Sequence, residues 1–407
     1  MEHRKSFKPE LLAPAGNFEK LEIAVRFGAD AVYLAGKDFS LRNFSGNFSM
    51  DEMRRGIIFA HENRVKVYVA CNIFPRSHEQ QAIAEFLTSL GDMNPDAVII
   101  SDPGVIAMAR EIIPHIPIHL STQANTTNRN TARFWESQGV KRVNVARELT
   151  LPEIRAIAEG TTLEIEAFVH GAMCIAYSGR CLLSSFMALR DGNRGRCCHP
   201  CRFNYALMEE KRPGQYYALS EDNRGTYVFN SRDLCMIGHI PEMAAAGISS
   251  LKIEGRMKGI HYLASVVKTY REAIDAYARH GAGCCVAPEW TAELAKISHR
   301  EYCTGFYLGD PEQVFSNLDG RIDAGRLFLA KVLQVKERKR VLVEVRNRLY
   351  RNDTIEIISP AGPVKTDKVL KIITEDYQEV DVVNPGNRVE ITLESDAAPN
   401  DIIRKVT

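Results

Sequence analysis

Along the first 255 residues, short apolar runs rich in branched aliphatic side chains alternate with longer stretches whose apolar positions recur every three or four residues. The short runs read as strands: ELLAPAG (10–16), AVYLAG (31–36), VKVYVACN (65–72), AVIISD (97–102), IHLSTQA (118–124), RVNVAR (142–147), LEIEAFVHG (163–171) and SLKIEG (250–255). Their near-continuous apolar character suits strands covered on both faces, as in a parallel sheet flanked by helices. FGADAVYLAG, NPDAVIISD, QGVKRVNVAR and AGISSLKIEG each put a glycine or proline between a helical pattern and the next strand. NFEKLEIAVRFG and SMDEMRRGIIFAHEN begin at Asn or Ser caps and carry helical spacing. Eight such strands in roughly 250 residues match a (β/α)8 barrel in number and size. An open doubly wound sheet is the competing fold. It loses ground because no dinucleotide fingerprint or phosphate loop occurs, and GAGCC at 281–285 has neither the spacing nor a preceding strand.

In barrels of this kind chemistry sits where strands end. The exits here read Pro14-Ala15-Gly16, Asn72, Asp102, Gln123, Arg147-Glu148, His170-Gly171 and Glu254-Gly255-Arg256. Each polar residue taken singly has helix capping as its bland explanation, Asp102 and Asn72 above all; together they favour an active-site mouth. Strands start about 20 to 35 residues apart, but about 80 residues separate 170–171 from SLKIEG, and a long insertion at a barrel rim is usually functional. After residue 280 the pattern changes. HREYCTGFYLGD (299–310) reads as a connection, and VLVEVRN, DTIEIISPAG and VDVVNPGNRVEITL alternate as short strands with turns at SPAG and NPGN. The expected architecture is α/β: a (β/α)8 TIM-like barrel over 1–280 with a Cys-rich insertion after strand 7 (172–249), a connecting segment at 281–325, and a small C-terminal all-β barrel over 326–407. The basic run Lys336, Arg338, Lys339, Arg340 reads as a solvated hairpin tip in preference to a phosphate contact.

Composition adds the compartment. The 407 residues are 45% apolar and 25% charged with a net charge of +1, a normal globular balance in which any polyanion site would be a local patch. Neither signal-peptide flanks nor an apolar run of about 18 residues is present, so a cytoplasmic location without membrane contact is expected. Ten cysteines in a reducing compartment call for something other than disulfides. Cys71, Cys284, Cys285 and Cys303 are scattered, whereas six fall between Cys174 and Cys235. The spacing is Cys174-x6-Cys181-x15-Cys197-x3-Cys201, with Cys198 and Cys235 in reserve. Thiolates so grouped hold a soft metal centre. One zinc closed by four thiolates is one reading, but zinc ribbons usually present two CxxC pairs; wide, irregular spacing suits an iron–sulfur cluster, which is larger than one ion. Redox or structural thiols are a third. Arg180, Arg194, Arg196 and Arg202 flank the cysteines, and positive charge stabilises thiolates. His170 is a candidate ligand, proton donor or packed core histidine.

The segments ELLAPAGN (10–17), GADAVYLAG (28–36), HLSTQAN (119–125), FVHGAMCIAYSGRCLLS (168–184), NRGRCCHPCR (193–202), NSRDLC (230–235) and LKIEGRMK (251–258) resemble the U-32 "collagenase-like" peptidase family, and within it the tRNA-hydroxylating branch. The resemblance extends over almost the whole chain. It implies a barrel enzyme with an oxygen-sensitive 4Fe–4S cluster on Cys174, Cys181, Cys197 and Cys201. The implied reaction installs a hydroxyl at carbon 5 of the wobble uridine of tRNA, without molecular oxygen and with prephenate as co-substrate. Related branches hydroxylate an rRNA cytidine or ubiquinone precursors. The doubled cysteine leaves Cys198 as an alternative to Cys197, and Cys235 as an alternative to Cys201.

At the barrel mouth, His170, Lys252 and Glu254 are candidates for proton transfer, and His119 and Gln123 for substrate binding. Arg42 and Arg256 offer a guanidinium fork to carboxylate or phosphate. An anticodon loop would lie across this mouth, its wobble base already single-stranded. Hydroxylation of another acceptor, an rRNA cytidine or a ubiquinone precursor, is the first alternative; peptidase chemistry ranks below it, because neither His61 nor His78 starts an HEXXH motif, no GxSxG occurs, and metal-bound thiolates are not free nucleophiles. A zinc-stapled RNA-binding module is the non-catalytic alternative. Neither an oligomeric state nor a partner protein follows from the sequence.

Overall fold

The computed structural model describes residues 8–40, 46–174, 176–200, 232–309 and 325–406, together with short strands at 207–208, 216–217, 220–222 and 225–227. Seven strands run in order around a barrel: β1 (Glu10–Pro14), β2 (Ala31–Leu34), β3 (Lys66–Cys71), β4 (Ala97–Ile100), β5 (Ile118–Leu120), β6 (Arg142–Asn144) and β7 (Glu164–Ala172). The insertion carries β8 (Asp233–Cys235), antiparallel to β7, and leads into β9 (Ile248–Ile253). Strand β9 lies parallel to both β7 and β1 and closes the ring. All eight expected barrel strands are present, and the closure leaves no free edge among them.

Helices α1 (Phe18–Arg26), α2 (Met50–Glu62), α3 (Gln80–Met93), α4 (Pro103–Ile112), α5 (Arg129–Ser137), α6 (Leu151–Gly160), α7 (Leu183–Ala188), α8 (Ile240–Ala245) and α9 (Ile260–His280) follow in chain order. Local chemistry starts several of them. Asn17 accepts from Lys20 N at 2.9 Å, while Ser49 with Glu52 and Thr150 with Glu153 form capping boxes. Asp102 caps α4 by accepting from Val105 N at 3.0 Å, so for this residue capping is the job. Each helix except α7 lays an apolar face on the ring; Leu34, Val67, Val98, Ile253 and Tyr270 are fully buried there.

From Arg326 onward, seven antiparallel strands form one half-barrel sheet, the small all-β domain that was expected, with its own apolar core of Val332, Val343, Ile357 and Ile391. It docks on the barrel through Ile358 and Ile402, which join the barrel's apolar core, and through ions. Arg404 is completely buried and donates to Glu293 at 2.7 Å and to Glu356 at 2.7 Å, and Lys268 Nζ reaches the Gly362 carbonyl at 2.7 Å. The basic run does lie at a hairpin tip, where Arg338 is exposed and pairs with Asp396 at 3.3 Å. The stretch expected to connect the two parts carries a short helix at Pro288–Leu294 and a strand at Tyr302–Cys303 that pairs with β8.

Candidate active site

The C-terminal ends of the barrel strands surround a cavity of about 180 Å³ whose floor is barrel and whose roof is the cysteine insertion. Asn72, Gln123, Asn144, Arg147, Phe168, Lys252, Glu254 and Arg256 line it from the strands; Cys174, Tyr177, Ser178, Cys181, Cys197 and His199 line it from the insertion. The insertion and the β9 exit, 53 residues apart between His199 and Lys252, converge here only because β7 and β9 are neighbours in the ring.

Lys252 is buried and donates to Glu166 Oε1 at 2.6 Å, with its ammonium 4.5 Å above the Tyr33 ring. Burial pushes the Lys252 amine down from its ordinary range, and Glu166 opposes that shift. Beneath, Arg142 approaches buried Glu166 at 3.6 Å and pairs with Glu10 and with the exposed Glu164, each at 2.6 Å, so a chain of ions runs from the barrel floor to solvent. Gln123 accepts from Ser121 Oγ at 3.1 Å, and its Nε2 is buried with no partner among the described residues. Arg256 donates to Ser40 Oγ at 3.0 Å and to Asn47 Oδ1, which ties the β9 exit to the loop after β2.

Two candidates are placed elsewhere. His119 does not line the cavity; it packs edge-on to Tyr68 with ring centroids 4.6 Å apart, and burial among Arg142, Lys252 and Lys66 keeps it neutral. His170 also turns away, to pack among Tyr262, Tyr270 and Tyr302. A register shift explains this: Lys252 pairs with Phe168, but the next β9 residue, Ile253, pairs with His170. Phe168 therefore faces the cavity while His170, two residues on, faces α9. Burial lowers the His170 pKa to about 3, and a proton role at the mouth is closed to it. Its Nε2 is buried with no hydrogen-bond partner among the described residues. Arg42 and Cys201 lie outside the described residues.

Among the cysteines, Cys197 lines the cavity and accepts from His199 N at 3.3 Å. Cys198 instead turns to Ser184, with Sγ 3.4 Å from Oγ. Cys235 sits opposite His170 on β8, is largely buried, and lies 3.9 Å from the Tyr270 hydroxyl, off the cavity wall. Among the described residues, no three His, Cys, Asp or Glu side chains converge on a point where one ion could sit. Three thiols spread around a cavity suit a centre wider than a single ion, and cationic Arg147 and Lys252 in the same wall suit one that is anionic.

Arg147 was legible only as one polar strand exit among many. Its Nη1 lies 3.7 Å from Cys174 Sγ and 3.0 Å from Ser178 Oγ, and its guanidinium stacks 3.9 Å over Phe168. Arg194, which sequence places beside the cysteines, points away and grips Glu79 with two bonds, at 2.8 and 2.5 Å.

A closed parallel barrel whose polar mouth is roofed by a loop of thiols defines the class. The chain belongs to peptidase family U32: residues 16–317 match that family, and residues 325–404 match its C-terminal domain. It is 40% identical over 403 residues to tRNA hydroxylation protein P1 of Bacillus subtilis (strain 168), covering 98% of this chain and 95% of that protein. Identity to the 23S rRNA 5-hydroxycytidine C2501 synthase of Escherichia coli (strain K12) is 33% over 271 residues, 67% of this chain and 40% of that protein. A protein named collagenase from Porphyromonas gingivalis is 30% identical over 410 residues, 96% of each chain.

Proposed function

We propose that this protein hydroxylates tRNA, installing the 5-hydroxyl of a wobble uridine without molecular oxygen, with a 4Fe–4S cluster on the insertion and prephenate as co-substrate. The observation that carries the reading is the meeting of Cys174, Cys181 and Cys197 with Gln123, Lys252, Glu254 and Arg256 around one cavity. Near-full-length similarity to a tRNA hydroxylation protein, and partial similarity to an enzyme that makes a 5-hydroxypyrimidine in rRNA, support the same chemistry.

Replacing C5–H by C5–OH oxidises the base by two electrons, and the donor that gives up the oxygen atom is reduced by the same two. A cluster held by these thiolates, with Cys201 as the fourth, supplies electron transfer when bound. The chain's own groups do the rest. Lys252 and Arg256 present positive charge at the floor to an anionic co-substrate. Glu254, at the β9 exit, is placed to take or return a proton at the mouth. Phe168 and Tyr177 give a splayed base apolar faces.

The test is anaerobic purification with iron and sulfide analysis, followed by nucleoside analysis of tRNA from a deletion strain. About four irons and four sulfides per chain, together with loss of 5-hydroxyuridine in the strain, are expected; one zinc without sulfide would overturn the reading. Peptide hydrolysis is the second reading, favoured by His199 lining the cavity beside Cys197 and by the collagenase-named relative. It predicts gelatin cleavage by the metal-free protein that disappears on thiol alkylation.

A further inference from the structure

Arg147 leaves the barrel at the end of β6, where Val145 and Ala146 are buried and fix its backbone. The side chain is itself nearly buried and makes three kinds of contact: stacking on Phe168 of β7, a bond to Ser178 Oγ, and a bond to Cys174 Sγ. Both bonds leave Nη1, whose two N–H groups lie in the guanidinium plane, so the planar group stacks on the ring and still serves two acceptors. The limb it touches has little else to hold it. Asn125 Nδ2 reaches the Ser178 carbonyl at 3.3 Å, and Gly179 packs on Phe74 and Gln123, but no described residue from Cys174 to Pro200 joins the barrel's hydrophobic core.

We propose that Arg147 is the positioning residue of the cysteine loop: from the barrel floor it orients Cys174 and Ser178 and places a fixed positive charge against whatever centre the loop holds. The inference rests on the cluster reading only for its electronic half; the mechanical half applies to the metal-free protein. A buried cation beside a cluster stabilises its reduced, more negative form and so raises its potential.

The experiment compares wild type with Arg147→Lys and Arg147→Gln. In the metal-free proteins, hydrogen exchange of residues 174–181 should quicken about tenfold in both variants, the effect of losing one charged hydrogen bond, while the barrel strands exchange as before. In the anaerobically reconstituted proteins, the midpoint potential should fall in Arg147→Gln and stay near wild type in Arg147→Lys, which keeps the charge. Should the Arg147 variants fail to fold, Ser178→Ala removes one acceptor and should quicken the same segment by a smaller factor. Unchanged exchange of 174–181 overturns the positioning role, and equal potentials in wild type and Arg147→Gln overturn the electronic one. A wild type that binds no iron or sulfide sinks the cluster reading instead, and the exchange measurement still decides the rest.

Discussion

The barrel buries Leu11, Leu34, Val67, Val98, Ile165 and Ile253 to within 1% of complete, whereas the insertion that roofs it adds no described residue between Cys174 and Pro200 to that core. Apolar burial at about 25 cal/mol per Å² holds the first. A handful of polar ties holds the second: Arg194 to Glu79 and to the Phe74 carbonyl, Arg147 to Cys174 and Ser178, and Asn125 to the Ser178 carbonyl. The floor of the site is thus set by folding alone, while the roof belongs to the low-stability end of the molecule, where a bound centre adds most to order.

One cut on each side separates the two. Cys174→Ser should abolish iron–sulfur incorporation and 5-hydroxyuridine formation, yet change the stability of the metal-free protein by less than about 0.5 kcal/mol. Leu34→Ala, at a fully buried barrel position, should cost about 2–5 kcal/mol. Denaturant titration of both metal-free variants, beside iron and nucleoside analysis, checks the pair. Similar losses of stability in the two would mean that the roof is part of the core.

Acid should also reach the two regions in order. His170 takes up no proton in the folded barrel until about pH 3, whereas in the unfolded chain it does so near 6.5. Between those values the unfolded state binds more protons, so the stability His170 contributes is complete above about pH 6.5 and is lost as the pH falls toward 3. His119 is pushed down by burial as well and steepens the same slope. His170→Gln should flatten it by about 1.4 kcal/mol per pH unit. The roof's tie responds later, because the Arg194 bonds hold the Glu79 carboxyl down at about 2, against an ordinary 4.5. Urea titrations at pH 7.5, 6 and 5 decide the matter; parallel slopes for wild type and His170→Gln would refute it.

What was legible in the sequence follows the same division. Every barrel strand could be read because a buried parallel strand leaves a continuous apolar run, and helices such as α1 and α2 because their Asn17 and Ser49 caps are local chemistry. The cysteine spacing was visible, but not which thiols face the cavity: Cys198 and Cys235 differ from Cys197 only in where turns and pairing send them. His170 misled because the register shift beside Lys252 leaves no mark in composition. Arg147 was passed over because its partners, Cys174 and Ser178, lie about 30 residues away along the chain and meet it only once β6 and β7 pair. Arg194 was the reverse case: neighbouring the cysteines in sequence, it serves the loop after β3.

The smallest effect should come from Glu79→Gln. The substitution keeps the side chain's size and one acceptor, but removes the charge that Arg194 grips with both nitrogens. Both partners are partly exposed, so solvent screens the pair and the loss should be about 1 kcal/mol, confined to the roof. Hydrogen exchange should quicken at 77–79 and 192–194 and remain as it was in β1 to β4, with the denaturant midpoint of the whole protein unmoved. If the midpoint falls as far as it does in Leu34→Ala, the tie between Arg194 and Glu79 belongs to the fold's main cooperative unit. The contrast between a core-built floor and a polar-tied roof would then have to be abandoned.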